Sequence, residues 1–247
     1  MSADLVNIRR YAAVNKEEEQ LLASIRRPIV LLRKKTPNVI SDQVAPRNNY
    51  FGVMLPYTPL HYLLLKRDIT SLVMTSGNMS EEPIAIDNDD AFKRLAAIAD
   101  YFLIHDRDIY LRSDDSIVRH IAGAKRFIRR SRGFVPIPIF LKDKVPPILA
   151  CGAELKNTIC VTKEDKAFLS QHIGDLKNFE TYQFYEETVD KFKKLFRVNP
   201  TVAVVDLLPD YFSTRFAKDL GLETVEIQHH FAHIAACMAE HGLDEKV

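Results

Sequence analysis

Four of the eight histidines fall in one short segment near the end of the chain, VEIQHHFAHIAACMAEH. Three of them and one cysteine recur every four residues, at His229, His233, Cys237 and His241. On a helix, this spacing places the four side chains along one stripe. A single metal ion can reach only neighbouring members of the stripe, because each step of four residues rises about 6 Å and a metal–imidazole bond is about 2 Å long.

The pair His229 and His233 has the spacing of the HxxxH half-site that many zinc and iron enzymes use. Two ligands are too few for a metal site, so the pattern also fits a pair of partly buried structural histidines. The predicted helix begins directly after a predicted strand, at the edge where open α/β sheets bind ligands. This position is an argument for a site for a transition metal, Zn or Fe, and both interpretations stay open.

The turn TSGNMS has the composition of a phosphate-binding turn. Its polar side chains are those of Thr75, Ser76, Asn78 and Ser80, and its glycine lets backbone amides approach an anion closely. An apolar run precedes it, and a strand followed by such a turn is a usual place for phosphate. Ordinary polar turns have the same composition, so both interpretations stay open.

The basic segment RFIRRSRG could hold phosphates through bidentate hydrogen bonds from Arg129, Arg130 and Arg132. The same charges would also protect a solvated edge strand. Just upstream, Asp114 and Asp115 either hold Mg²⁺ beside a triphosphate or cap a turn. The segment therefore supports a local anion site as a hypothesis.

A second candidate turn lies in ILACGAELKNTICV, where Gly152, Lys156 and Asn157 separate two apolar runs. Hairpins of this kind hold nucleotide phosphates in actin-like ATPases, with a lysine and backbone amides as donors. We therefore assign these three residues to a nucleotide or phosphate site in the second half of the chain.

Alternating helices and strands must position these residues in the first half of the chain. Asn15 and Glu18 have the pattern of a capping box at the start of the helix KEEEQLLASIRR, and Gly123 marks the turn of a hairpin. The other predicted elements are the strand PIVLLRKK, a helix over 60–66, a strand over 72–74, a helix over 88–99 and the strand YFLIH. This alternation predicts an α/β sheet.

The proline-rich segment FVPIPIFLKDKVPP is predicted to be a stiff, extended connector, so we place the domain boundary between residues 143 and 144. Beyond it, apolar runs and helical periods give the order β-β-β-α-β-α-β-α, with a long helix over 179–196. This is the order of the ribonuclease H-like lobe of actin and hexokinase. Those ATPases bind nucleotide between two such lobes, and the sequence contains one.

The composition, with 247 residues, 47% hydrophobic and 27% charged, is that of a globular protein with a real core. We expect a cytoplasmic protein without a membrane partner, because the sequence has neither an apolar run of membrane-spanning length nor a signal-peptide core. The three cysteines lack CxxC spacing, which favours reduced thiols. A net charge of +1 gives no overall attraction to nucleic acid.

Taken together, these motifs resemble the HypF family of carbamoyltransferases, which help to mature nickel-iron hydrogenases. The matching motifs follow the family's order over nearly all of the chain: GVMLPYTPLHYLLL, VMTSGNMSEEPIA, DDSIVR, RRSRGFVP, GAELKNT, LSQHIGDL and QHHFAHIAAC. The resemblance implies a YrdC-like mixed twisted sheet with helices over 1–143, incomplete at its start. It implies an actin-like, ribonuclease H-like first lobe of a TsaD-like domain over 144–247, incomplete at its end.

The chemistry implied by the resemblance starts from ATP and carbamoyl phosphate, which form carbamoyl-adenylate and release pyrophosphate. The carbamoyl group then passes to the C-terminal cysteine of the partner protein HypE. The resemblance assigns nucleotide or carbamoyl phosphate binding to Thr75, Ser76, Asn78, Ser80, Ser116, Arg130 and Arg132. It makes His229 and His233 metal ligands, places the third ligand, an aspartate, in a second lobe, and leaves the catalytic residue unassigned. ATP and Mg²⁺ are the implied cofactors.

Family members carry further domains, so we expect this chain alone not to complete carbamoyl transfer to HypE unless missing HypF domains act in trans. The chain departs from the family at Glu81 (usually Gly), Asp108 (usually Pro) and Leu208 (usually His), and the last weakens a catalytic role for its loop. The alternatives are a non-catalytic docking subunit or an RNA-binding YrdC-like module. The near-zero net charge argues against RNA. Antibiotic O-carbamoyltransferases are disfavoured because their domain order is reversed.

Overall fold

The computed structural model describes residues 1–66, 68–80 and 82–243, so the departure at Glu81 lies outside the described residues. Contacts divide the chain into two units, each made of two separate stretches. The first unit comprises Met1–Ser76 and Asp114–Phe134, and the second comprises Gly77–Ser113 and Val135–Val247. The domain boundary between residues 143 and 144 stays a prediction.

The first unit contains a mixed four-stranded sheet in the order β2-β1-β3-β4. Its strands are β1 (Ile29–Arg33), β2 (Tyr50–Val53), β3 (Ile117–Ile121) and β4 (Ala124–Arg129). Strand β1 runs antiparallel to β2 and parallel to β3, while β3 and β4 form the predicted hairpin. At its turn, Ala122 and Gly123 both have positive φ, 52° and 72°, as a two-residue type I′ turn requires.

In the part of the first unit that the structure describes, there are three helices: α1 (Leu5–Ile8), α2 (Lys16–Ala23) and α3 (Pro59–Leu64). The predicted capping box of α2 is confirmed. The Asn15 side chain accepts a hydrogen bond of 2.8 Å from the Glu18 amide, and the Glu18 carboxylate accepts one of 2.9 Å from the Asn15 amide. Apolar side chains of α1, α2, β1 and β3 form the fully buried core beneath the sheet, namely Ile8, Leu22, Val30, Leu32 and Val118.

Two predicted strands, over 72–74 and 101–105, are wrong, because the structure places neither segment in a sheet. The first segment is preceded by an isolated bridge between Ser2 and Ser71, and Val73 is 70% exposed. In the second segment, Tyr101 is 93% exposed. An apolar run becomes a strand only where a neighbouring strand pairs its backbone over several residues. The backbone of Leu72 exchanges hydrogen bonds with Met1, at 2.8 and 2.9 Å, but within the described residues this pairing does not extend into a strand.

The second unit contains a mixed five-stranded sheet in the order β5-β7-β6-β8-β9. Its strands are β5 (Ile139–Val145), β6 (Ile148–Ala150), β7 (Cys160–Leu169), β8 (Val202–Asp206) and β9 (Glu223–Ile227). The pairs β5·β7 and β6·β7 are antiparallel, whereas β6·β8 and β8·β9 are parallel. With two mixed sheets and their helices, the predicted α/β fold class is confirmed.

Strand β7 doubles back on itself. Glu164, near its middle, has a positive φ of 55°, and the amide of Ser170 donates to the carbonyl oxygen of Ile159 at 2.8 Å. A straight strand of ten residues would hold its ends roughly 30 Å apart. The second and third strands of the predicted order β-β-β-α therefore form a hairpin with each other.

The proline-rich segment predicted as a connector is instead partly an edge strand, since it contains β5. Its prolines Pro138 and Pro146 lie just outside the ends of β5. An extended, stiff backbone is suited to pairing along a sheet edge. Proline cannot donate to the ladder, and an edge strand tolerates it because one side of its backbone faces solvent rather than another strand.

The described residues of the second unit form four helices: α4 (Asn88–Leu95), α5 (Phe179–Phe196), α6 (Phe212–Asp219) and α7 (His229–His241). Helix α5 has the predicted bounds and buries one apolar face, whose largest members are Phe184, Tyr185, Val189 and Phe192, in the core of this unit. In the described part of the chain, no helix combines the length and apolar character that a bilayer crossing requires.

Candidate functional site

The two predicted metal ligands of the histidine segment lie side by side at the start of α7. His229 is the first residue of the helix, and Gln228 caps it by accepting from the amide of Phe231. The Nε2 atoms of His229 and His233 are 3.1 Å apart. The structure therefore brings the predicted pair together with the same ring nitrogen of each histidine facing the other.

The carboxylate of Asp206, which ends β8, lies on the opposite side of the His229 ring. Its Oδ2 atom is 2.6 Å from His229 Nδ1, and the two side chains are 6% and 41% exposed. A carboxylate only accepts hydrogen bonds, so a neutral His229 carries its proton on Nδ1. The lone pair of Nε2 then faces His233.

The geometry of the histidine pair fits a shared metal ion. Two imidazole ligands at about 2.05 Å from a tetrahedral zinc lie roughly 3.4 Å apart, close to the 3.1 Å between the Nε2 atoms of His229 and His233. Among the described residues, no group of three or more potential ligands is assembled. The pair can therefore supply two ligands to an ion, fewer than the three protein ligands of a catalytic zinc site.

The predicted phosphate turn between β6 and β7 is held together by one of its own members. Asn157 is 2% exposed, and its Nδ2 atom donates to the carbonyl oxygens of Cys151 and Ala153, at 3.0 and 2.5 Å. Lys156 is exposed, and Gly152 has a φ of 70°. Asn157 thus stabilises the turn, while Lys156 is the cation that it presents to solvent.

Glu154, in the same turn, was not singled out from the sequence. It is 4% exposed, and its Oε2 atom accepts a hydrogen bond of 2.9 Å from the amide of Phe212, the first residue of α6. The N-cap residue of this helix, Tyr211, makes no side-chain cap. A residue that caps a helix 58 positions later leaves no local pattern by which the sequence could reveal it.

The residues of the TSGNMS turn are divided between the two units, since the division falls between Ser76 and Gly77. Thr75 and Ser76, in the first unit, are exposed. In the second unit, Ser80 is exposed and the Nδ2 atom of Asn78 donates to the carbonyl oxygen of Met79 at 2.7 Å. The exposed hydroxyls of the turn are accessible to an anion.

Two predicted pocket residues of the first unit make internal contacts. Ser116 is fully buried. Its hydroxyl donates to the carbonyl oxygen of Arg132 at 2.9 Å and accepts from the amide of Ser131 at 2.8 Å. Arg130 donates from Nη2 to the carbonyl oxygen of Phe134 at 2.9 Å. Ser116 therefore ties the start of β3 to the segment that follows β4.

Arg132, the third predicted pocket residue in this unit, holds several elements together. Its Nε atom donates to Asp115 Oδ1 at 2.6 Å, and its two Nη atoms donate to the carbonyl oxygens of Arg26 and Arg27, at 3.2 and 2.8 Å. The guanidinium carbon lies 3.5 Å from the centroid of the Tyr57 ring. The planar fork of donors is thus used for internal structure.

The two carboxylates considered for Mg²⁺ both have arginine partners. Asp115 pairs with Arg132, and Asp114 lies 3.6 Å from Arg129. Each arginine reduces the negative charge that its carboxylate could offer to a divalent cation. The contacts therefore favour a structural role for this acidic pair.

Tyr57 and His61 are two ionisable residues close to Arg132 that the sequence analysis does not single out as candidate site residues. Their rings meet edge to face with centroids 4.5 Å apart, and the Nδ1 atom of His61 is buried with no hydrogen-bond partner among the described residues. Burial lowers the pKa of His61, and the negative charge of Asp115 opposes this effect. Both residues belong to the motif GVMLPYTPLHYLLL, and this family motif is the signal by which the sequence could have pointed to them.

Two family models match the chain in succession. Residues 1–131 match the Sua5, YciO and YrdC family, described as "Telomere recombination", and residues 143–240 match the "HypF Kae1-like domain". The protein named Carbamoyltransferase HypF from Synechocystis sp. is 46% identical over 247 residues, covering 100% of this chain and 32% of that protein. The chain belongs to the HypF family. The resemblance drawn from its motifs is confirmed.

Other HypF proteins show the same match. Carbamoyltransferase HypF from Rhizobium leguminosarum bv. viciae is 46% identical and covers 100% of this chain and 33% of that protein. A crystal structure of T. kodakarensis HypF has a TM-score of 0.93 and 43% identity, covering 99% of this chain and 32% of that one. The chain therefore spans about a third of the length of these HypF relatives.

A crystal structure of full-length HypF in the phosphate- and nucleotide-bound form is 51% identical, with a TM-score of 0.93, and covers 99% of this chain and 39% of that one. The fold of this HypF segment is thus the fold seen in solved relatives. The roles of the individual site residues stay predictions.

Proposed function

We propose that the chain takes part in carbamoyl transfer during the maturation of nickel-iron hydrogenases. The observation that carries the proposal is the match of the whole chain to proteins named Carbamoyltransferase HypF. The two family models follow one another along the chain, over residues 1–131 and 143–240. A chain with both modules is suited to a reaction in two steps, activation and transfer.

In the first step, we propose that ATP, carbamoyl phosphate and water give carbamoyl-adenylate, pyrophosphate and phosphate. Water first cleaves carbamoyl phosphate to carbamate and phosphate. A carbamate oxygen then attacks the α-phosphorus of ATP, and pyrophosphate leaves with the bonding electrons. The exposed hydroxyls of Thr75 and Ser76 are suited to donate to nucleotide oxygens. Mg²⁺ is the expected counter-ion of the phosphates, because its usual ligands are substrate phosphates and water.

In the second step, we propose that the C-terminal cysteine thiolate of HypE attacks the carbamoyl carbon, and AMP leaves. The Kae1-like module is the proposed place for this transfer, with Lys156 presented to solvent by its turn. A zinc or iron ion bound by His229 and His233 would supply a Lewis acid that polarises a carbonyl or phosphoryl oxygen. The role of these two side chains would be to hold that ion at the edge of the sheet.

The alternative roles receive less support. An RNA-binding module would be expected to carry a strongly basic face, whereas the chain has a net charge of +1. Several of its arginines, such as Arg132 and Arg129, are engaged by Asp115 and Asp114. We retain the cytoplasm as the proposed compartment and HypE, together with HypF domains acting in trans, as the proposed partners.

A chimera tests the proposed function. In a HypF relative, the matching third of the chain is replaced by these 247 residues, and the chimera is incubated with HypE, carbamoyl phosphate, ATP and Mg²⁺. Intact-mass spectrometry should show one carbamoyl group on the C-terminal cysteine of HypE. The same chimera carrying Thr75→Ala with Ser76→Ala should leave HypE unmodified. A folded chimera with wild-type residues that leaves HypE unmodified would contradict the proposal.

A further inference from the structure

The carboxylate of Asp206 is held in a fixed orientation beside the histidine pair. It ends β8, and its residue pairs in register with Ile227 at the end of the parallel neighbour β9, just before α7 begins. Its Oδ1 atom accepts a hydrogen bond of 3.2 Å from the amide of Leu208, and its Oδ2 atom contacts His229 Nδ1 at 2.6 Å. With both oxygens engaged and the side chain 6% exposed, the carboxylate has little freedom to rotate.

The position of Asp206 excludes it as a ligand of the ion that the pair would share. The two nitrogens of an imidazole lie on opposite sides of the ring. Asp206 occupies the Nδ1 side of His229, whereas the Nε2 side faces His233 at 3.1 Å. An ion held between the Nε2 atoms therefore lies across the ring from this carboxylate.

We propose that Asp206 is a positioning residue that fixes the tautomer and orientation of His229, so that the Nε2 lone pair points toward His233. Metal-bound histidines commonly donate their second ring N–H to a carboxylate in this way, which also raises the basicity of the ligating nitrogen. The importance of this contact for activity rests on the proposed function. The tautomer of His229, in contrast, can be measured in this chain independently of that function.

The departure at Leu208 is compatible with this role of its loop. The family's usual histidine at this position is lost, but the contact to Asp206 comes from the backbone amide of Leu208. Every residue except proline has this donor. The loop can therefore support the histidine pair through Asp206, whatever side chain stands at position 208.

The change Asp206→Asn tests the proposal in the whole chain. The asparagine amide can donate to His229 Nδ1, which forces the proton onto Nε2, the nitrogen that would bind the ion. Long-range ¹H–¹⁵N spectra of the metal-free protein, recorded where imidazole is neutral, should show protonated Nδ1 in the wild type and protonated Nε2 in the variant. Zinc titration by calorimetry should show affinity reduced about 10- to 100-fold.

Asp210→Asn is the matched control, because this aspartate lies in the same loop with its side chain 90% exposed. It should leave both the tautomer and the zinc affinity unchanged. Asp206→Ser, which keeps a short polar group for the Leu208 amide, replaces Asp206→Asn if that variant does not fold, and it should lose the wild-type tautomer preference.

An unchanged His229 tautomer in a folded Asp206 variant would overturn the proposal, as would an altered tautomer with unchanged zinc affinity. If the wild type binds no zinc, the tautomer comparison alone decides. Failure of carbamoyl transfer to HypE concerns the proposed function and leaves this test unaffected.

Discussion

Glu154 and Phe212 are joined by a hydrogen bond of 2.9 Å, in which the Phe212 amide donates to the Glu154 carboxylate across 58 positions of sequence. The contact links the turn between β6 and β7 to the N-terminus of α6, where a negative charge also interacts favourably with the helix dipole. The candidate phosphate turn is therefore part of the framework of the second unit. Residues of this turn are expected to affect stability as well as binding.

Replacing Glu154 should destabilise the protein through the loss of this cap. We expect Glu154→Ala to lower the free energy of unfolding by about 1–3 kcal/mol, because it leaves a backbone donor without its partner. Glu154→Gln should cost less, since its amide oxygen can still accept. Urea denaturation measures both, with Glu180→Ala, at an exposed position in the first turn of α5, as the control. A loss no larger than that of the control would show that the cap contributes little.

Gly152 should tolerate no side chain. It has a φ of 70°, and a Cβ atom there would overlap the carbonyl oxygen of Thr158 and lie 2.7 Å from Asn157 Nδ2. We expect Gly152→Ala to cost about 3 kcal/mol or more. Gly221→Ala is the control, with a φ of 68° and open space around the added atom, and should cost only about 1–2 kcal/mol. Thermal and urea unfolding measure both variants. Equal losses of stability for Gly152→Ala and Gly221→Ala would contradict the steric argument.

Cys151 should resist alkylation in the folded protein. Burial raises the pKa of its thiol to about 11, so the reactive thiolate is nearly absent up to about pH 9. The exposed Cys237 should react with iodoacetamide under the same conditions, which peptide mass spectrometry can follow. Rapid modification of Cys151 in the native protein would contradict its burial.

The same shift predicts how stability depends on pH. An unfolded thiol ionises near pH 8.5, while the folded one keeps its proton until about pH 11. The contribution of Cys151 is therefore complete below about pH 8.5 and is lost as the pH rises through this window. Cys151→Ala should make the free energy of unfolding fall less steeply with pH over that range.

Arg132→Lys should destabilise the first unit even though it preserves the charge. Lysine cannot reproduce the planar fork that contacts Asp115 and the carbonyl oxygens of Arg26 and Arg27. We expect a loss of about 1–3 kcal/mol, measured by urea denaturation. Arg126→Lys, at an exposed position on β4, should change stability by less than about 0.5 kcal/mol. Equal effects of the two changes would show that Arg132 has no special structural role.

Features governed by neighbouring residues could be predicted from the sequence. The capping box of Asn15 and Glu18, the turn at Gly123 and the bounds of α5 each follow from a local pattern. The adjacency of His229 and His233 follows from helical spacing in the same way.

Contacts between distant residues could not be predicted. Asp206 and His229 meet because β8 and β9 are parallel neighbours, and Arg132 reaches Arg27 from 105 positions away. The wrong strand over 72–74 has a related cause, since an apolar run reveals its burial preference but not whether a partner strand is available. The prolines of the segment over 134–147 indicate an extended backbone, which fits a connector and a strand equally well. The pairing of β5 with β7 depends on residues distant along the chain, so the sequence does not indicate it.

Carbamoyl phosphate-dependent ATP/pyrophosphate exchange is the most direct test of the central claim that this chain carries a site for forming carbamoyl-adenylate. The purified chain is incubated with ATP, Mg²⁺ and labelled pyrophosphate, with and without carbamoyl phosphate. We predict that label enters ATP only when carbamoyl phosphate is present, and that Thr75→Ala with Ser76→Ala abolishes this exchange without unfolding the protein. A folded wild-type chain that shows no carbamoyl phosphate-dependent exchange, or a double variant that exchanges normally, would contradict the claim.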